Sequence, residues 1–287
     1  QYSSEEFYDR LVEALADDKG PDIISVSNRE INEYLNKLAT MPKSIQNATL
    51  ETVKKTVGEE TIVNVQELAM PTTVEVQKNY VQAVGNDVIK NGSIYGLPLS
   101  LDTMALYYNR DILDSSGVAT PPANWDEFQE DIKKITKIDS TGKIIQSGVS
   151  LGVGENVPGS DDLLYILFEQ SGVSFVNDAG VPVFNYYSRD QDYSPSANVM
   201  DFYTNFANPS KDTYAWNESM PNGLDTFSRG LTGFFFGYSY HYSQIKARSP
   251  QLNFEVLPML QLDSNNTVNV ANYYIQSVVK KSKNQEE

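Results

Sequence analysis

The sequence predicts an α/β fold of two lobes with a ligand cleft between them, and three observations carry that reading. The first is a helix, a turn and a strand in immediate succession over residues 5–26, an order that marks a sheet covered by helices. The second is the run Gly92 to Arg110, which sets a glycine turn, a proline stop at Pro98, the polar pair Asp102-Thr103 and an apolar-aromatic strand one after another, before a capped helix from Trp125. The third is a fresh series of strands and helices beyond Asp139, long enough for a second core.

Glu5 to Asp17 puts Phe7, Leu11, Val12 and Leu15 on one helical face, and Gly20-Pro21 ends it. Asp22 to Val26 then reads as a short buried strand of a parallel sheet. Ile31 to Leu38 is a further helix, and Thr72 to Val88 contains another. Met104 to Tyr108 is a strand, and Ile112 to Gly117 a turn or short helix closed by glycine. Pro121-Pro122 stiffens the approach to a helix from Trp125 to Thr136, capped by Asn124 with Glu127 three residues on. Phe128, Ile132 and Ile135 make its buried stripe, and Trp125 is assigned to the core.

Asp139 to Lys143 is a hairpin-like turn, Gly148 to Gly154 a strand entering a glycine-rich loop, and Asp161 to Gln170 an apolar helix closed by Gly172. No Lys-Ser/Thr follows the glycines, so the loop is no phosphate cradle. Tyr193 to Asn208 reads as largely helical, with Val199, Met200, Phe202 and Phe206 facing inward. Asp225 to Ser228 is a short helix and Leu231 to Gly237 a strand. Tyr238, Tyr240 and Tyr242 alternate, so an extended backbone would place them on one side. Phe254 to Leu260 is a strand interrupted by Pro258, and the apolar, aromatic stretch Val268 to Val279 precedes a charged tail.

Composition narrows the function classes. The 287 residues carry 22 basic and 38 acidic side chains, a net charge of −16, which argues against nucleic acid and anionic membranes as partners. No apolar run approaches the roughly 20 residues that cross a bilayer. With no cysteine, disulfides, thiolate metal sites and thiol nucleophiles are excluded. The single histidine, His241, cannot alone build a metal site or a triad and reads as a loop or surface residue. The sequence begins at Gln1-Tyr2-Ser3 without a basic or apolar leader, so any export signal lies outside it.

Five stretches together resemble the extracellular solute-binding proteins of ABC importers, the group of maltose- and oligosaccharide-binding proteins. They are Ala14-Leu15-Ala16 to Gly20-Pro21-Asp22; Gly96-Leu97-Pro98 through Tyr108-Asn109; Pro121-Pro122 through Trp125-Asp126-Glu127-Phe128; Gly230-Leu231-Thr232-Gly233-Phe234 with Val256-Leu257-Pro258; and Val270-Ala271-Asn272-Tyr273-Tyr274 through Asn284. Each is weak alone, and their shared order over nearly the whole chain is what is specific. The resemblance implies a two-lobed periplasmic-binding-protein-like fold, with the first lobe at 1–110, the second at 111–256 and a return to the first at 257–287. Crossings fall near Tyr107 to Asp111 and Leu257 to Leu260. It also implies a chain trimmed at both ends, an extracellular or periplasmic location with anchoring through a missing N-terminal segment, and capture of a solute by lobe closure for a membrane permease. A monomer with no cofactor, no metal and no catalytic residue is expected.

A polyhydroxylated solute wants flat aromatic faces flanked by polar groups. Under the resemblance Asp102 and Thr103 sit at the cleft edge, with Asp102 capping a turn as the other reading. Asn156 can face a ligand from the glycine-rich loop. Tyr214 and Trp216 lie in a polar-aromatic loop suited to a platform, Tyr240 is the preferred contact of its tyrosine series, and Asn272 and Tyr273 reach from the returning segment. The absence of an arginine-rich cluster favours a neutral oligosaccharide over phosphates or dicarboxylates. Polyamines and cationic peptides stay open, since aromatic walls also suit cations. The enzyme alternative is a glycoside hydrolase using two carboxyls, with Asp102 and Glu155 the first pair to measure. Tyr107-Tyr108 and Tyr186-Tyr187 raise a weaker reading, ferric iron held by paired tyrosinates.

Overall fold

The computed structural model describes residues 4–55, 58–177, 179–185 and 194–285. Its chain divides into two compact units, residues 1–101 with 272–287, and residues 102–271. The passage out of unit 1 follows Leu101 and the return follows Ala271.

In unit 1 the opening helix Ser4–Ala16 buries Leu11 and Leu15, while Val12 turns outward at 39% exposure. The strand Ile23–Ser27 buries Ile24 and Val26 on alternate positions, as period-2 geometry requires. Its partner is the late strand Tyr274–Val278, which also pairs with Leu97–Pro98. Both pairings are antiparallel, which corrects the parallel sheet expected here: the partner is a returning strand, not the next one in sequence. Ile31–Tyr34 is helical and tightens into a short 3-10 turn at Leu35–Lys37.

The region between is a long hairpin that the sequence reading left unassigned. Strands Ser44–Lys54 and Glu59–Ala69 pair in full register from Ser44↔Ala69 to Lys54↔Glu59. Neither face is covered, and Leu50 is 74% exposed. Thr72 then starts the helix Thr73–Asn79 with a capping box: its hydroxyl oxygen accepts the Glu75 N–H at 3.2 Å, and the Glu75 carboxylate accepts the Thr72 N–H at 2.8 Å.

Unit 2 is built on a five-stranded sheet in the order Phe254–Pro258, Ala105–Asn109, Thr232–Gly237, Ile144–Val149, Lys137–Ile138. Only the pair Thr232–Gly237 and Ile144–Val149 is parallel. The segments expected to be crossings between lobes are thus neighbours in this sheet, because Ala105–Asn109 hydrogen-bonds to Phe254–Pro258 along its length.

Both faces of the central strands are buried, which explains their unbroken apolar runs. Leu106, Tyr108, Phe234 and Phe236 point into a core with Trp125, Phe128 and Ile132 of helix Trp125–Ile135, Leu163, Ile166 and Leu167 of helix Ser160–Gln170, and Val199 and Tyr203 of helix Pro195–Asn205. Tyr107 and Phe235 point the other way, onto Leu224 and Phe227 of helix Gly223–Ser228 and Ile245 of helix Ser239–Arg248. Glycine is required where the first core is tightest: a Cβ on Gly148 would lie 2.9 Å from Ile132 Cγ2. Met200, expected inward, is 41% exposed on the outer side of its helix.

Candidate functional site

Of the two parallel strands, Ile144–Val149 ends with Val149 opposite Phe234, and Thr232–Gly237 runs on to Gly237, which is paired with Ala105, the first residue of the neighbouring strand. This end of the sheet gathers three segments, Asp102 to Met104, the loop 150–159, and Tyr238 to Tyr240 at the head of helix Ser239–Arg248: a Cβ on Gly159 of the loop would lie 2.9 Å from Met104 Cε and 4.0 Å from Tyr238 Cε2. In open α/β sheets the carboxyl ends of parallel strands are where ligands bind, because the loops there are free of the ladder and helix N-termini point at them.

Asp102 is the organiser of this edge. Its carboxylate accepts the Ser239 N–H with both oxygens at 3.1 Å, the Ser239 hydroxyl at 2.9 Å and the Thr103 N–H at 2.9 Å. It thus supplies a negative charge and acceptors to the first turn of a helix, where donors are otherwise unpaired. Tyr107, below it in the core, donates its hydroxyl to the Tyr238 carbonyl at 2.7 Å. Burial first, and the Asp102 charge second, push the Tyr107 hydroxyl up to about 12.

His241 completes the same turn. Its Nδ1 accepts the Tyr238 N–H at 2.9 Å, so that nitrogen carries no proton, and burial holds the ring down to about 4 against the opposing pull of Asp102. The histidine is 5% exposed and packs edge-on against Phe235 at 5.2 Å, which corrects the loop or surface assignment. Helix formation also overrides the extended reading of the tyrosine series. Tyr238 is buried, its hydroxyl donating to Asp162 at 2.6 Å, whereas Tyr240 and Tyr242 are about half exposed. The Tyr240 ring stacks on Tyr238 with centroids 5.8 Å apart and planes 14° from parallel, and lies 4.2 Å from the His241 ring. The Tyr240 ring is thus packed against Tyr238 and His241, one residue on from Ser239, which Asp102 holds.

Asn156, Trp216 and Tyr214 form a different group. The indole N–H of Trp216 donates to Asn156 Oδ1 at 2.8 Å, and Asn156 Nδ2 donates to the carbonyls of Asn217 at 3.0 Å and Met220 at 2.8 Å. Asn217 Nδ2 in turn donates to the Tyr214 hydroxyl at 2.8 Å. Trp216 is fully buried, so its ring has no open face to offer a sugar; it anchors the segment 213–217, whose Ala215 and Trp216 N–H groups both donate to the Phe206 carbonyl. The side-chain amide of Asn156 is spent on holding the chain.

Asn272 and Tyr273 belong to unit 1. Tyr273 is 3% exposed and donates its hydroxyl to Asp87 at 2.5 Å, and Asn28 donates to the same carboxylate at 3.2 Å. Burial and that carboxylate raise the Tyr273 hydroxyl well above its ordinary range. Asn28 and Tyr273 also exchange backbone-directed bonds, so the tyrosine is a brace; Asn272 beside it is partly buried. Sequence reading missed Ser239, Asp162, Asn28 and Asp87, whose partners lie far away in the chain and leave no local pattern.

The tyrosine pair Tyr107-Tyr108 cannot grip one ion, because adjacent strand residues face opposite sides of the sheet: Tyr107 bonds to the Tyr238 carbonyl and Tyr108 to Glu255. Tyr186-Tyr187 lies outside the described residues. Among the described residues no cluster of three histidine or carboxylate side chains is placed to hold a metal, and no helix is long and apolar enough to cross a membrane.

The model of the family described as bacterial extracellular solute-binding protein matches residues 1–287. A candidate binding protein of Brucella abortus (strain 2308) is 24% identical over 215 residues, 74% of this chain and 49% of its own length. An arabinooligosaccharide-binding protein of Halalkalibacterium halodurans is 30% identical over 118 residues, 40% of this chain and 24% of that protein. The chain spans about half the length of the first of these relatives. Among solved structures, an ABC transporter solute-binding protein of Thermotoga lettingae bound with α-D-tagatose superposes with a TM-score of 0.60 at 20% identity, covering 98% of this chain and 64% of that one. A Listeria monocytogenes ABC substrate-binding protein in complex with cycloalternan gives 0.65 at 16% identity, covering 99% and 63%. These likenesses establish the fold as the two-lobed α/β periplasmic-binding-protein type expected from the sequence. By its full-length match, the chain belongs to the bacterial extracellular solute-binding proteins.

Proposed function

We propose that this chain captures a neutral oligosaccharide outside the cytoplasm for an ABC import permease, as a monomer and without chemical turnover. The observation that carries the reading is the half-exposed Tyr240 ring, packed against Tyr238 and His241 in the helix turn that Asp102 caps, with the exposed Thr103 next to Asp102. Sugar rings present apolar C–H faces and equatorial hydroxyls, and this arrangement offers a matching plane and polar flank. The saccharides named with the Thermotoga, Listeria and Halalkalibacterium proteins support the same class. The proposed contacts in unit 2 are Tyr240, Thr103 and Asp102, and in unit 1 Asn272 is a separate candidate, whereas Trp216, Asn156 and Tyr214 brace one another and Tyr273 braces unit 1. Closure on the solute requires that solute bind one arrangement of the chain better than another. Anchoring to the membrane through a segment outside this sequence is part of the proposal.

Asp102 argues against a hydrolase role, because both its oxygens already accept the Ser239 N–H and a general acid must carry a proton there. One observation favours a second reading, a polyamine: Asp102, Asp161 and Asp162 all lie at helix starts on this edge, and a cation can sit over the Tyr240 face. Thermal-shift measurements with maltotriose, mannobiose, an arabinooligosaccharide and spermidine separate them. A ligand at about a hundred times its Kd stabilises the folded chain by about 2.7 kcal/mol. A response to a saccharide and none to spermidine is expected; the reverse refutes the carbohydrate assignment.

A further inference from the structure

Toward the opposite end of the unit 2 sheet, where Ile144–Val149 and Thr232–Gly237 begin, the surface carries a hollow of about 700 Å³. Its floor includes Ile145 and Leu231, 55% and 46% exposed, and its walls include Met220 and Pro221. The charged residues lining it are Lys143 and Arg229, with no carboxylate among the lining residues, in a chain where acids outnumber bases 38 to 22. By contrast, the similarly sized hollow along helix Trp125–Ile135 is lined by Asp126, Glu127, Glu130 and Asp131 as well as Lys133 and Lys134.

Both cations are exposed, and among the described residues neither side chain forms an ion pair. The nearest acids in sequence make their hydrogen bonds and ion pairs elsewhere, although the Asp139 charge still interacts with Lys143. Asp139 accepts the backbone N–H groups of Thr141 and Lys143 inside its own turn, and Asp225 is paired with Arg248. The hydroxyl protons of the lining are also committed: Thr141 donates to Asp139, Ser219 to Asn217 and Thr226 to the Asn222 carbonyl. The charged groups the hollow presents to a ligand are Lys143, partly offset by Asp139, and Arg229, beside the apolar side chains of Ile145 and Leu231.

We propose that this hollow is a second ligand site, for a small anion with an apolar body such as an aryl or acyl phosphate or carboxylate. The two charges select the anionic group, and the exposed isoleucine and leucine select a hydrocarbon portion that leaves water on binding. The site is independent of the saccharide reading, since Asp102, Thr103 and Tyr240 do not line it.

Calorimetry with phenyl phosphate tests the proposal on the chain and on the double variant Lys143→Gln/Arg229→Gln. Both positions are exposed, so the variant keeps its fold, which circular dichroism checks. Saturable binding is expected, weakened at least about tenfold in the double variant and unchanged in Tyr240→Ala. It also weakens as added salt shortens the screening length from about 10 Å to about 3 Å. Absence of saturable binding, or equal affinity in the double variant, overturns the proposal. Inorganic phosphate binding as tightly as phenyl phosphate overturns it too, because the apolar floor would then contribute nothing.

Discussion

Replacing Trp216 by phenylalanine separates a buried anchor from a sugar platform. The substitution removes the indole N–H that Asn156 Oδ1 accepts at 2.8 Å, and leaving that half-buried acceptor without its partner costs about 1–2 kcal/mol. The smaller ring leaves a cavity of about 40 Å³ in a fully buried site, which at about 24 cal/mol per Å³ adds about 1 kcal/mol. The expected loss is therefore about 2–3 kcal/mol, a large share of the 5–15 kcal/mol that holds a typical domain together. Urea unfolding followed by the fluorescence of Trp125, the other of the two tryptophans, reads it directly. A cycle with Asn156→Ala adds a coupling of about 1 kcal/mol. Stability within about 0.5 kcal/mol of the parent, together with lost saccharide binding, would refute the assignment of Trp216 to the interior.

Asp102→Ala removes the acceptor set at the head of helix Ser239–Arg248 and is expected to cost about 1–2 kcal/mol, with faster hydrogen exchange at the Ser239 amide. His241 is neutral when folded with its pKa near 4, against about 6.5 when unfolded. The unfolded chain therefore binds more protons between those values, and up to about 3 kcal/mol of stability, complete above pH 6.5, is lost as the pH falls toward 4. A His241→Gln variant should flatten that window in pH-dependent urea titrations; an unchanged slope would contradict the linkage. Leu50→Ser, in the hairpin exposed on both faces, should change stability by less than about 0.5 kcal/mol, and a loss above about 1 kcal/mol would mean that the ribbon is covered.

Local signals carried much of the fold. Asn124 caps the helix Trp125–Ile135 by accepting the Glu127 N–H at 2.9 Å, and Phe128, Ile132 and Ile135 are its buried stripe, all readable from spacing within a dozen residues. The strands around Leu106 and Phe235 were legible for the same reason: a continuous apolar run has few other uses. The hairpin at 44–69 had its own signal, the density of threonine, valine and isoleucine on both sides of Gly58, which went unused.

The site was less legible because its bonds are long-range. Asp102 and Ser239 are 137 residues apart, Trp216 and Asn156 are 60 apart, and Tyr273 and Asp87 are 186 apart. An aromatic beside a polar residue in a loop reads the same whether its ring meets solvent or a buried amide. Trp216 and Tyr240 resolve in opposite ways only once the partners of each are known. The tyrosine series failed for a related reason: alternation over five residues suits a strand, but the Asp102 carboxylate and His241 Nδ1 pair the free N–H groups that begin a helix there.

The most direct test of solute capture at the Asp102 edge is a calorimetric titration of maltotriose, mannobiose and an arabinooligosaccharide into the chain and into Tyr240→Ala. The account expects saturable binding of at least one saccharide with no release of cleaved product. The variant should weaken that binding at least about tenfold, the equivalent of about 1.4 kcal/mol. Saccharide affinity untouched by the loss of the Tyr240 ring, or tight binding of spermidine with no saccharide response, would contradict it.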